Sequence, residues 1–510
     1  MQNFVPCSIM KPRLEKYAHV LLPLWKGFNG LKSFMLSYPA SRGKYRSIPS
    51  KLMRAYNKRR FHGARRLFCY NPFVNLFFNI GGEAIACCRS HDNVLGTYPE
   101  QSIKDIWFGE KAEAMREHMR HNDLSMGCAY CEKQIKAHRF QGLPSMRADA
   151  YPYTKKGLYP KIMELELSNV CNLECVMCSG RESSKIRANR EHLPPLISPY
   201  NDDFVKQLKA FIPHLREMHF YGGEPFLIDI YYKIWDKVMA LNPKIKMSAV
   251  TNGTIYNKRI EQILLSTNFD LTISVDSLNK ERFEQIRKGA DFDVVMQNID
   301  KFNQLTDNHL TISHTPISLN WQDTPDIVQF CNDKQARLNL SFAERPAKYA
   351  LWANHPDKID EILAYYDSID FTHDKHNFAA TYNLRVFNEW KKQLMYFRDK
   401  NRQILKQHGD YVSKEKEIEN ALVQRMNEVA NTVLSAQSEV DYSLNILREE
   451  LLDKPSSPVK TESMHDVLTY LNDRDTISSE KTRKMLLDPE KVRKHLSALM
   501  HEARFWEKYY

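Results

Sequence analysis

From residue 161 onward the hydrophobic positions keep two alternating rhythms. Met163, Leu165 and Leu167 alternate with Glu164, Glu166 and Ser168, a period of two that predicts a β-strand. Helical spacing follows over 202–215. Then come a strand at 217–220 and a helix over 230–241 with Ile234, Trp235 and Val238 on one face. Strands at 246–250, 271–275, 310–319 and 338–342 alternate with further helical stretches, two of them at 280–288 and 292–305. Six strand–helix units in succession predict an α/β domain over 160–345 whose parallel sheet is closed or nearly closed into a barrel. A polar or glycine cluster ends each of the first four strands. Three cysteines follow the first, Gly222-Gly223-Glu224-Pro225 the second, Thr251-Asn252-Gly253-Thr254 the third and Asp276-Ser277 the fourth. In barrels that end of the strands is where chemistry is built.

The patterns on either side differ. In 67–141, Cys69 is followed by a largely apolar run, a Gly81-Gly82 turn and then EAIACC, which predicts a hairpin with cysteines at its open end. Beyond residue 342 the chain loses its glycines, with Gly409 alone between Ala290 and the end. Ile418, Leu422, Met426, Val429 and Val433 recur at spacings of three and four, followed by Leu444, Leu447 and Leu451. That periodicity predicts an amphipathic helix over 411–452, either associating with itself or a partner, or capping the barrel. A Pro/Ser linker at 454–460 precedes a last helical segment. The expected divisions are 1–66, 67–141, 160–345, 346–453 and 464–510.

Charge changes this picture at one end only. The net charge is +11, yet residues 1–66 hold fifteen Lys or Arg and the single acid Glu15, so the remaining 444 residues sum to −3. Tyr45, Tyr56 and Phe61 interleave with the basic residues of 42–66. Such a stretch suits nucleic acid, anionic lipid or an acidic partner, or is simply a solvated tail. No apolar run of membrane-spanning length occurs, and Val20–Trp25 is too short for a signal peptide, so neither a span nor export is expected. Ten cysteines are too few for a disulfide scaffold, and nine lie within the first 178 residues. Metal or redox chemistry in a reducing cytoplasm is the expected use.

Cys171, Cys175 and Cys178 are spaced C-x3-C-x2-C on one short loop. Three thiolates can hold three irons of a [4Fe–4S] cluster and leave the fourth iron open. Upstream, Cys69, Cys87 and the C-x2-C pair Cys128 and Cys131 could converge on one centre, for which zinc and iron–sulfur are equally open from spacing. Cys88 adjoins Cys87 and is ambiguous as a ligand, while Cys7 and Cys331 are isolated. Glu164 and Glu166 share a strand face. They either touch substrate inside the barrel or pair with basic side chains.

The cysteine loop, GGEP, TNG and SVDS, in that order at successive strand ends, resemble the radical SAM superfamily over about 160–345. The resemblance implies a partial (β/α)6 TIM-like barrel, with a cluster on Cys171, Cys175 and Cys178 and S-adenosylmethionine on the open iron. It assigns Gly222, Gly223, Glu224 and Pro225 to the cofactor's amino group, the glycines by letting carbonyls approach closely. It assigns Thr251, Asn252, Ser274 and Asp276 to the ribose and methionine portion, and Arg287 to the carboxylate. Met177 stands where the family often has an aromatic residue for the adenine. Cys69, Gly82, Cys87, Cys128 and Cys131, with Gly96, Ile103, Ile106 and Trp107 between, resemble the twitch module, the shorter relative of the SPASM domain. That likeness implies one auxiliary [4Fe–4S] cluster on the four cysteines, placed before the barrel rather than after it. The implied activity is reductive cleavage of S-adenosylmethionine to a 5′-deoxyadenosyl radical and hydrogen abstraction from a peptide or small-molecule substrate. An external donor of flavodoxin or ferredoxin type would supply the electron. The alternatives are an RNA-modifying radical enzyme guided by 1–66 and a non-catalytic iron–sulfur scaffold. No residue of the chain is nominated as the substrate's acid, base or hydrogen donor.

Overall fold

The computed structural model describes residues 45–140, 143–151, 159–306, 310–371 and 378–408, with 420, 421 and 424. Apart from those three positions, the expected helix over 411–452 lies outside the described residues, as do Cys7, the linker and the segment 464–510.

One sheet runs through the described chain. Its strands are β1 (Asn75–Phe78), β2 (Glu83–Ile85), β3 (Gly96–Thr97), β4 (Ile162–Glu166), β5 (Glu217–Tyr221), β6 (Lys246–Thr251), β7 (Asn268–Ser274), β8 (Thr311–His314) and β9 (Arg337–Leu340). Their order is β3-β2-β1-β4-β5-β6-β7-β8-β9. Strands β4 to β9 pair in parallel, as six successive strand–helix units require. The sheet is open between its ends, a partial barrel. The expected strand 310–319 stops at His314. Pro316 has no N–H to continue the ladder, and Asn320 draws the chain into a turn by accepting from Ile317 N–H at 2.7 Å.

The period-two pattern sorts the two faces. Met163 and Leu165 on β4, Met218 and Phe220 on β5, and Leu271 and Ile273 on β7 are fully buried beneath the helices. The opposite face presents Glu164 and Glu166, His219 and Tyr221, Ser248, and Asp270, Thr272 and Ser274. Barrels of this kind usually fill their interior with branched aliphatic side chains. Here the interior wall is polar. The helices start where side chains can satisfy their free N–H groups: Asn201, Asn257, Asn279 and Asp291 each accept from the first turn, at about 1 kcal/mol apiece. The helix Asp229–Leu241 buries Tyr231, Ile234, Trp235 and Val238, a stripe of helical period.

The upstream module continues the same sheet. A helical turn (Asn71–Val74) replaces the first part of the expected strand, because Pro72 at its start favours helix and cannot serve a ladder. Then β1 pairs antiparallel with β2 and parallel with β4. The module is thereby fixed to the first barrel strand by main-chain hydrogen bonds. Across the open side, Arg89 pairs with Glu344 at 3.0 Å, and the Arg139 guanidinium lies 4.5 Å above the Tyr396 ring. Tyr396 belongs to the long helix Phe378–His408. That helix covers the edge strand β9: Asn383 Oδ1 accepts from Leu338 N–H at 2.8 Å.

The reading of 42–66 as a solvated tail is corrected for its described part. Ser50–Asn57 is a helix, Tyr56 is fully buried, and Arg60 is buried against Asp149, its Nε donating to Asp149 Oδ2 at 2.7 Å. A buried guanidinium is tolerable only with such a partner, and Asp149 lies too far along the chain for sequence spacing to reveal it.

Candidate functional site

The loop after β4 is held from three sides. Glu174 N–H donates to Lys288 O at 2.8 Å and Val176 N–H to Ile286 O at 2.9 Å, so the cysteine loop lies along the backbone of 286–288. Ser183 donates to Leu173 O at 2.7 Å, and Ser184 accepts from Cys171 N–H at 3.2 Å. Arg190, which the sequence reading passed over, donates to the carbonyls of Cys175 and Cys178. Only the Ser183 N-cap position before the helix Ser184–Asn189 had a local sequence signal. Burial pushes the Cys171 thiol up to about 11. Cys175 and Cys178 share a hydrogen bond that holds the first down and the second up. Arg287 faces both thiols, placing a cation beside the site where a cluster's negative charge would sit.

The loops at the other strand ends meet this one. Gly222 has φ +121°, and a Cβ there would lie 2.3 Å from Ser168 O; one on Gly223 would lie 2.2 Å from Val170 O. Gly223 N–H donates to Ser168 O at 3.1 Å and Glu224 N–H to Val170 O at 2.8 Å. The two glycines make room for the backbone leading into Cys171, and this close approach accounts for them without a ligand. Glu224 is fully buried. It accepts from the Thr251 hydroxyl at 2.7 Å, Asn252 N–H at 2.7 Å and Phe226 N–H at 3.1 Å. Its carboxylate ties the GGEP loop to the TNGT loop. Burial pushes its pKa up to about 7 despite them.

Asn252 Nδ2 donates to Asn172 Oδ1 at 2.9 Å and approaches Cys171 Sγ at 4.0 Å, while Asn172 donates to Thr254 Oγ1 at 2.9 Å. Asp276 is fully buried and pairs with Arg287 at 2.7 Å. Ser274 stays partly open on the interior wall. Met177 is 5 % exposed and packed in the apolar core. Pro225 begins a buried 3-10 turn.

Upstream, Cys69, Cys87, Cys128 and Cys131 converge. Cys87 is raised by the other three, Cys131 by Cys128 and Cys69, and Cys69 by Cys128, and burial is the main cause that raises all four. Such thiols ionise when a metal replaces the proton, so their surroundings suit a buried centre. Among the described residues no three His, Cys, Asp or Glu side chains could hold a single metal ion. Cys69 Sγ also accepts from Asn71 N–H at 3.4 Å.

Cys88 acts on Cys87 and Cys131 and also meets a polar wall. Burial raises its thiol to about 12 and Glu164 adds to this, while Arg89 and Arg147 oppose it. Glu164 accepts from Asn75 Nδ2 at 2.6 Å, Arg147 at 3.0 Å and the Tyr221 hydroxyl at 3.1 Å. Of the two expected glutamates it is therefore the structural one, whereas Glu166 sits 3.7 Å from Arg181 and is raised by burial. This polar wall joins the auxiliary module to β5, which runs on into GGEP. Arg147 and Tyr221 carried no motif and were not foreseen.

Both cysteine sites fall inside stretches of the chain that match known families. The family models agree: residues 165–331 match the radical SAM superfamily, and residues 69–132 match the SPASM iron–sulfur cluster-binding domain. The cofactors of this class are a [4Fe–4S] cluster with S-adenosylmethionine and an auxiliary iron–sulfur cluster. Among curated relatives, the chain is 27% identical over 190 residues to "Probable GTP 3′,8-cyclase" of Methanocaldococcus jannaschii, covering 36% of this chain and 60% of the relative. It is 24% identical over 225 residues to "Molybdenum cofactor biosynthesis protein 1" of Dictyostelium discoideum, covering 44% and 34%. The chain thus spans less than two thirds of these relatives. Similar solved structures include native anSMEcpe with bound AdoMet, with TM-score 0.33 and 20% identity, covering 40% of this chain and 59% of that one. Another is Streptococcus suis SuiB bound to S-adenosylmethionine, with TM-score 0.32 and 16% identity, covering 54% and 63%. No described helix is long and apolar enough to cross a membrane.

Proposed function

We propose that the protein is a radical SAM enzyme that oxidises or otherwise modifies a peptide or small polar molecule inside the barrel. The supporting observation is the polar interior wall, which carries Glu164, His219 and Tyr221 and reaches from Cys88 to the strand that enters GGEP. When bound, the radical cluster with S-adenosylmethionine supplies hydrogen-atom abstraction, and the auxiliary cluster supplies a one-electron acceptor. The chain's own part is to orient and to exclude water. Asn252, Asn172 and Thr254 shape the floor beside Cys171, and Glu224 holds their loop in place. Glu166, lifted by burial and only loosely paired, is the carboxylate suited to accept a proton from a substrate on this wall.

The relatives named for GTP do not decide the substrate. Glu164 and Glu217 face Arg147, and Glu166 faces Arg181, three carboxylates against two cations, a balance that suits hydroxyl, amide or cationic groups better than a triphosphate. The electron donor is proposed to be of flavodoxin or ferredoxin type. The test is anaerobic reconstitution followed by assay of 5′-deoxyadenosine with and without reductant. Reductant-dependent cleavage that vanishes in Cys175→Ala is expected; no cleavage in the wild type would leave only a scaffold. About eight irons per chain are expected from two such clusters, and four irons plus one zinc would refute the auxiliary assignment.

A further inference from the structure

Between Cys87 and Cys128 the chain buries hydrogen-bond donors that it does not use. Cys87 begins a turn closed by Ser90 N–H donating to Cys87 O at 2.9 Å, and Asn93 N–H donates in turn to Ser90 O at 3.1 Å. This turn packs against Gly127, the residue before Cys128. A Cβ on Gly127 would lie 2.5 Å from Asn93 Cβ and 3.0 Å from Ser90 Oγ. Ser90 is fully buried, and neither its hydroxyl nor Asn93 Nδ2 has a partner. A buried donor left unpaired is destabilising, and two from one turn double that burden. An acceptor at this spot removes it, and the sulfur of a cluster held by the neighbouring cysteines is such an acceptor.

We infer that Ser90, with Asn93 beside it, donates hydrogen bonds to sulfur of the auxiliary cluster and raises its reduction potential. The inference rests on the reading that Cys69, Cys87, Cys128 and Cys131 hold that cluster. A donor dipole pointed at sulfur stabilises the extra negative charge of the reduced state more than the oxidised one, so the cluster accepts an electron more readily. Both residues are positioning residues. They touch no substrate, and their effect on turnover runs through the cluster.

The test uses the full chain carrying Cys171→Ala, Cys175→Ala and Cys178→Ala, which leaves the auxiliary cluster as the only signal. If this parent binds no iron, the auxiliary reading itself fails and the inference falls with it. With iron bound, electron paramagnetic resonance is followed through a redox titration. Adding Ser90→Ala is expected to leave the iron content unchanged and shift the midpoint to a more negative potential. Ser90→Thr, which keeps the hydroxyl, is expected to return it toward the parent value. Equal midpoints for the parent and Ser90→Ala at equal iron content overturn the inference. Exchange of the parent into D2O provides a check independent of how the variants fold. The reduced cluster should then show coupling to an exchangeable deuteron beyond that of the Asn71 N–H on Cys69, and its absence overturns the inference equally.

Discussion

Cys171, Cys175 and Cys178 sit within eight residues of one loop, whereas Cys69, Cys87, Cys128 and Cys131 are gathered from 63 residues of helical turns, hairpin and helix. The first set needs its loop held still, and backbone ladders to 286–288 and to GGEP do this. The second needs distant segments brought together, and buried side-chain contacts such as Arg60 with Asp149 do that. A local site is therefore vulnerable to anything that moves its backbone. A dispersed site is vulnerable to anything that loosens the fold around it.

Exchanging single residues between the two sites tests this contrast most strongly. Cys175→Ala is expected to abolish cleavage of S-adenosylmethionine and to halve the iron from about eight to about four atoms. Cys128→Ala is expected to lose the other cluster while uncoupled cleavage persists. Loss of both clusters in either variant would break the separation. Next comes Gly223→Ala, whose Cβ would strike Val170 O. Displacing a reacting centre by about 1 Å costs on the order of 100-fold, so 5′-deoxyadenosine formation should fall by about that factor with the auxiliary signal intact.

Arg60→Ala should act the opposite way. Both partners are fully buried, so a stranded Asp149 carboxylate is expected to cost about 3–5 kcal/mol in denaturant melts. The auxiliary iron should be lost before the radical-loop iron. The smallest effect is on pH. Glu224 is raised from 4.5 to about 7 by burial, so the folded state binds its proton more tightly than the unfolded one. Stability should fall as pH rises from about 4.5 to about 7 and level off above that, and Glu224→Gln should flatten this slope. A variant with the same slope would assign the effect to another group.

The contrast also governs what could be read from the sequence. C-x3-C-x2-C, GGEP and TNGT were legible because each is a short segment at a strand end, and the period of two located those ends. The roles within them were less legible. Glu224 and Asp276 look like ligand groups in the linear motif, yet both are buried against neighbouring loops or side chains. The glycines serve a backbone approach 50-odd residues apart in sequence, from Ser168 and Val170 to Gly222 and Gly223. The basic stretch read as a tail because charge alone gives no sign of a partner such as Asp149.

By itself the sequence determined the order of the strands and helices, the ends at which polar loops gather, and the spacing of the seven cysteines. Periodicity and spacing are local properties, and they survive without knowledge of what packs against what. Only the tertiary structure decided that the upstream hairpin joins the barrel sheet through β1 and β4. It also set Cys88 within electrostatic reach of Glu164 and left the Ser90 hydroxyl buried in the turn that follows Cys87. Those outcomes depend on strand register and on close packing between segments far apart in the chain. A single strand cannot encode its partner.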